Sequence, residues 1–138
     1  MDQTVMFFLA GVLIVGGLLF TVLTMRRGPK LLDVDKYRSR WMSIEQQLKR
    51  DELSTYHLAI INADKLLDQA LQDRAFSGQT MAERLKSANA NWSNANSVWS
   101  AHKLRNRIAH EPDATVGFDE ARRALIGYKQ ALKDIGAI

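Results

Sequence analysis

The stretch TMAERLKSANANWSNANSVWSAHKLRNRIAHEP, residues 80–112, decides how this chain folds. Thr80 can cap a helix, and Glu83, three residues on, completes a capping-box pattern. Met81, Leu85, Ala88, Trp92, Ala95, Trp99 and His102 then recur at alternating steps of four and three, the spacing of one helix face. Pro112 disfavours helical backbone at Glu111 and closes the pattern. The expectation is one long helix from Thr80 to about Glu111. Its middle, Ser87 to Ser100, is rich in Asn, Ser and Ala. Asn and Ser favour helices weakly, so the two tryptophans are expected to anchor it.

The same period runs through the rest of the chain beyond residue 35. Tyr37, Trp41, Ile44 and Leu48 form one stripe, and Leu53, Tyr56, Ile60, Ala63, Leu67 and Ala70 a second. Phe118, Ala121, Leu125, Tyr128, Leu132 and Ile135 form another. Asp51, with Glu52 beside it, is the expected start of the second helix. The pattern is expected to stop around Ala75-Phe76-Ser77-Gly78, with the glycine ending the helix. No segment alternates with a period of two, which argues against a sheet. The fold class is therefore all-α, with residues 35–138 forming a small up-and-down four-helix bundle and the charged 102–112 segment at one turn.

Residues Val5 to Met25 carry no charge. Twenty-one residues make a helix of roughly 31 Å, enough to cross the hydrocarbon layer. The tail before it, residues 1–4, has no Lys or Arg, unlike the positive start of a cleaved signal peptide. After it comes a basic linker, residues 26–34, which includes Arg26-Arg27-Gly28-Pro29-Lys30. Gly28-Pro29 is expected to break the membrane helix. The positive flank favours an N-terminus outside and a cytoplasmic bundle, a single-pass anchor in the cell membrane. The whole chain is +4 and Asp2 is the one charge before the span, so the part beyond it is +5. That mild excess suits a nucleic-acid or anionic-lipid partner without demanding one.

With no cysteine, disulfides, thiolate catalysis and Cys-based zinc sites are excluded. The chemistry concentrates in His102-Lys103-Leu104-Arg105-Asn106-Arg107-Ile108-Ala109-His110-Glu111-Pro112, which holds two of the three histidines. Arginine grips phosphate with two donors, and histidine moves protons near neutral pH. RNA supplies its own nucleophile in the 2′-hydroxyl, so these two residue types can cut it without metal. Zinc fails on ligand count and on distance, since His102 and His110 lie about 12 Å apart along a helix. No metal or cofactor is implied, because there is neither a phosphate-cradling glycine loop nor a Ser or Cys nucleophile arrangement. Arg105 and His110, five residues apart, point about 140° away from each other on a continuous helix. One copy aims both at one phosphate only by unwinding at Ile108 to His110; two copies about a two-fold axis share a cleft more readily.

Arg105-Asn106-Arg107-Ile108-Ala109-His110, between two helices of an all-helical bundle, resembles the Arg-x(4–6)-His motif of the HEPN superfamily (higher eukaryotes and prokaryotes nucleotide-binding). The polar residue directly after the arginine is also typical of that family. The resemblance covers roughly residues 50 to 135. It implies a bundle that dimerises, often with metal-independent endoribonuclease activity at a composite site. It makes Arg105 and His110 the catalytic pair and Asn106 their support. His102, Arg107 and Glu111 are further candidates for supporting or phosphate-binding roles. Partners implied are the bilayer, a second copy of the chain and RNA. The competing expectation is a non-catalytic, membrane-anchored module that dimerises or docks an unidentified protein, with Trp92, Trp99, Tyr37 and Trp41 as interface rather than core.

Overall fold

The computed structural model describes residues 2–25 and 31–138, so the Arg26–Lys30 flank and its Gly28-Pro29 break lie outside the described residues. The described chain is all-helical and divides into two units, the N-terminal helix and a bundle from Leu31 to Ile138. The first unit is α1, Gln3–Met25, long and apolar enough to cross a membrane. Large apolar side chains stand exposed along it, Phe7, Phe8 and Leu13 among them. Thr21 turns its hydroxyl back to the carbonyls of Gly17 and Leu18, at 3.0 and 2.9 Å, so its polar group is satisfied inside the helix.

The second unit comprises α2 (Val34–Gln47), α3 (Leu53–Asp73), α4 (Met81–Ser87), a 3-10 turn (Asn89–Asn91), α5 (Ala95–His110) and α6 (Phe118–Asp134). Side-chain bridges give the directions. Tyr37 at the start of α2 meets Asp73 at the end of α3, while Gln47 meets Asn62, so α2 and α3 are antiparallel. Arg107 meets Glu120 and Ser93 meets Asp134, so α5 and α6 are antiparallel. Tyr56 packs edge-on against Phe118 and Tyr128 reaches Asp64, so α3 and α6 run parallel across the core. This is an up-and-down bundle with α3 against α2, α4, α5 and α6.

The apolar stripes go where their period sends them. Tyr37, Trp41 and Ile44 are buried on α2, Ala121, Leu125, Tyr128 and Leu132 on α6, and Ile135 just beyond it. On α3 the stripe holds from Tyr56 onward, but Leu53 is 70% exposed at the helix start.

The expected long helix is broken. The capping box forms at Thr80, whose hydroxyl accepts from the Glu83 N–H at 3.2 Å while Glu83 accepts from the Thr80 N–H at 3.2 Å. Yet α4 ends at Ser87, and α5 starts afresh where the Asn94 side chain accepts from the Ser97 N–H. Asparagine and serine side chains compete with the helix for backbone groups, and over this Asn-rich run they win. Trp92 sits in the break, its indole N–H donating to the Leu85 carbonyl at 3.0 Å. Trp99 alone remains on α5.

Two helix ends also differ from expectation. Asp51 does not cap α3. It takes a left-handed φ of 72°, and its N–H donates to the Tyr56 hydroxyl at 3.0 Å as the chain turns out of α2. Helix α3 ends before Gly78, in a Schellman arrangement with Ala75 at φ 60°. There the Ala75 and Phe76 N–H groups donate to the Gln72 and Leu71 carbonyls. Gly136 fills the same role after α6, at φ 73°, where the lack of a Cβ makes the conformation cheap. Gly127 is required by proximity: a Cβ there would stand 2.8 Å from the Ser97 carbonyl oxygen, so α5 and α6 touch backbone to backbone.

Candidate functional site

Helix α5 carries the charged segment, and its inner face meets a carboxylate that has no place in an apolar core unless it is partnered. Asp64 follows the buried register of α3, four residues after Ile60 and three before Leu67, and is 3% exposed. Its Oδ1 accepts from His102 Nδ1–H at 2.8 Å and from the Tyr128 hydroxyl at 2.9 Å. Arg105 Nε lies 3.4 Å from Asp64 Oδ2, an ion contact whose angle makes no hydrogen bond. Burial first, then the neighbouring carboxylate, pushes the Tyr128 phenol well above its ordinary value, so it remains a donor.

The donor inventory orders the rest of this network. Guanidinium groups only donate, so Asn106 must turn its Oδ1 to Arg105 Nη1, 3.1 Å away. Its Nδ2 then faces His102 Nε2 at 3.2 Å and donates to it. His102 is therefore the neutral Nδ1–H tautomer, donating to Asp64 and accepting from Asn106. Five side chains from three helices thus form one chain of contacts: Tyr128, Asp64, His102, Asn106 and Arg105. Trp99 stands edge-on to the His102 ring, 6.2 Å between centroids, and covers it.

Of the six residues singled out by the sequence, the structure brings three into this network: Arg105, Asn106 and His102. His102 is buried and turned to the core, its two nitrogens occupied. Arg105 is partly exposed, its side chain 30% accessible. Arg107 is spent on Glu120 of α6, at 2.7 Å. Helix α5 stays regular through His110, so the unwinding that would swing His110 towards Arg105 does not occur. His110 is exposed at the helix end, and its side chain has no hydrogen bond or ion pair among the described residues. Glu111 closes the helix through its backbone, its N–H donating to the Arg107 carbonyl at 2.9 Å.

Asp64 and Tyr128 were not among the residues singled out. The signal for Asp64 was available, since a carboxylate at a core register demands partners. Tyr128 read simply as a stripe residue. Among the described residues no group of three or more His, Asp or Glu side chains converges to hold a metal ion. Beside the network, along the outer seam of α5 and α6, runs a groove of about 470 Å³ with Asn96, Ser100 and Arg123 on its walls and Ala101, Leu104 and Ala124 as its floor. Compared with known proteins, the chain matches no family model, no curated protein and no solved structure.

Proposed function

We propose that this chain is a membrane-tethered, HEPN-like bundle that works as a cytoplasmic homodimer and binds and cuts RNA without metal, Arg105 and His110 of the working pair coming from different copies. The observation that carries the reading is the split presentation of the two residues. Arg105 is steered by Asp64 and Asn106 and only partly exposed, whereas His110 stands free at the far end of the same unbroken helix. The two side chains leave that helix about 140° apart, so a cleft that uses both must draw them from two copies.

In such a cleft Arg105 bonds a phosphate oxygen. The RNA 2′-hydroxyl attacks phosphorus, and the 5′-oxygen leaves. His110 moves the proton, which yields a 2′,3′-cyclic phosphate and a free 5′-hydroxyl. A second reading, a non-catalytic membrane-anchored interaction module, is favoured by one observation: Arg105 and Asn106 are engaged inside the bundle, as purely structural residues would be. Residues 31–138, incubated with mixed RNA in chelator beside the His110→Ala form, separate the two. Cleavage by the unaltered fragment alone, leaving cyclic phosphate ends, supports the ribonuclease. A folded dimer that never cuts RNA leaves the interaction module.

A further inference from the structure

Away from α5, the face between α2 and α3 carries two cations that make no ion pair among the described residues. Arg40, Ser43 and Ile44 of α2 look across a groove of about 310 Å³ towards Lys65 and Leu66 of α3. Ile44 and Leu66 are buried and make its floor. The Asn62 amide donates to Gln47 Oε1 at 3.0 Å and closes one end. Arg40 and Lys65 are exposed, and neither side chain has an ion pair or hydrogen bond among the described residues. None of the carboxylates around them makes an ion pair with either one. Glu45 holds Lys129, Asp68 holds Arg84, Asp73 accepts from Tyr37 and Gln69, and Asp64 is in the core. An anion between the two cations would relieve their repulsion. The fork of Arg40 suits two oxygens of a phosphate, the ammonium of Lys65 a third.

The sequence indicates which anion. Eight residues separate Met25 from Val34, nine steps of backbone with a contour of at most about 32 Å. Arg26, Arg27, Lys30, Lys36, Arg38 and Arg40 all follow directly on the apolar helix. A basic cluster of this size beside a membrane span is the composition that draws anionic headgroups. We infer that the α2–α3 groove is a binding site for an anionic phospholipid headgroup, its phosphate held between Arg40 and Lys65 and its glycerol stem resting on Ile44 and Leu66. The site is independent of the RNA chemistry proposed for α5.

The test uses the full chain in neutral detergent, incubated with phosphatidylglycerol or phosphatidylcholine, with retained lipid counted by native mass spectrometry. Phosphatidylglycerol is retained in preference to phosphatidylcholine. Its retention falls by about tenfold or more in Arg40→Gln/Lys65→Gln, which loses two charge-assisted phosphate contacts. It holds in Arg122→Gln/Arg123→Gln, which removes the same charge from α6. The charge-keeping Arg40→Lys/Lys65→Arg form retains the lipid and guards against a folding defect. Equal loss in the α2–α3 and α6 variants reduces the effect to general charge and overturns the site. Displacement of the lipid by inorganic phosphate alone reassigns the groove to a soluble anion. Loss of RNA binding with lipid retention intact reassigns it to nucleic acid.

Discussion

Asp64→Ala should cost the bundle about 4 kcal/mol. The substitution strands the Tyr128 hydroxyl and the His102 Nδ1–H, each bonded to Asp64 Oδ1 within 2.9 Å. A buried donor left without a partner costs about 1–3 kcal/mol. Two such donors give about 4 kcal/mol; Arg105, its side chain 30% accessible, loses its counter-ion to water and adds little. In a domain of this size about 4 kcal/mol lowers Tm by roughly 20 °C. Urea unfolding of residues 31–138, followed by the fluorescence of buried Trp41, measures it. Two companions sharpen the result. Tyr128→Phe alone should destabilise by about 1 kcal/mol, yet in the Asp64→Ala background it should stabilise, because it removes a stranded hydroxyl. Asp64→Asn keeps an oxygen for both donors but sets its amide against Arg105 Nε, donor to donor, and should fall between, at about 1–2 kcal/mol. A loss below about 1 kcal/mol for Asp64→Ala, at unchanged m-value, would refute the claim that Asp64 holds the network together.

Ala75→Gly should stabilise the bundle by about 1 kcal/mol, since Ala75 sits in left-handed backbone that glycine adopts freely, and Gly136→Ala should do the reverse; thermal melts read both. Gly127→Ala should cost about 1–3 kcal/mol by wedging α5 from α6, and Ser97→Ala should not rescue it, because the nearest obstacle includes the Ser97 carbonyl. Burial, then hydrogen bonding to Asp73, raises the Tyr37 phenol, and burial, then the Asp64 carboxylate, raises that of Tyr128. Both phenols are protonated in the fold at pH values where the unfolded chain already ionises. Their stabilisation is therefore complete below the ordinary value of 10.0 and is lost as pH rises beyond it. Denaturation measured upward from that pH should steepen, and Tyr37→Phe/Tyr128→Phe should flatten the slope.

The register of α6 was legible because every stripe residue from Ala121 to Ile135 is apolar and buried, so period and packing agree. The 80–112 stretch misled for the opposite reason. Its apolar period runs on through Trp92 and Ala95, but period records only which side chains face inward. It is silent on Asn94, whose amide takes the Ser97 N–H and starts a new helix. Helix ends were least legible: Asp51 and Ala75 hold left-handed backbone that neither residue type advertises. In the candidate site, Arg105, Asn106 and His110 were visible as residue types, while the carboxylate that orients Arg105 was not. Asp64 lies about forty residues upstream, and only the bundle places it beside His102. The inward turn of His102 was implicit in its place on the stripe, since a residue four helical steps of register from Val98 and one turn from Trp99 faces α3.

The attachment of α2 has a mechanical consequence. This helix comes first in the bundle, and it leans chiefly on α3, with Lys129–Glu45 as a tie to α6. Were the N-terminal helix held in a membrane, a pull along the chain would reach the bundle first at Val34 and the Tyr37–Asp73 bond, at the start of α2. Loss of α2 from that end would free Tyr37, Trp41 and Ile44 in succession, before the contacts of α3 with α5 and α6. In that case α2 is a strap and the α3–α5–α6 network the knot.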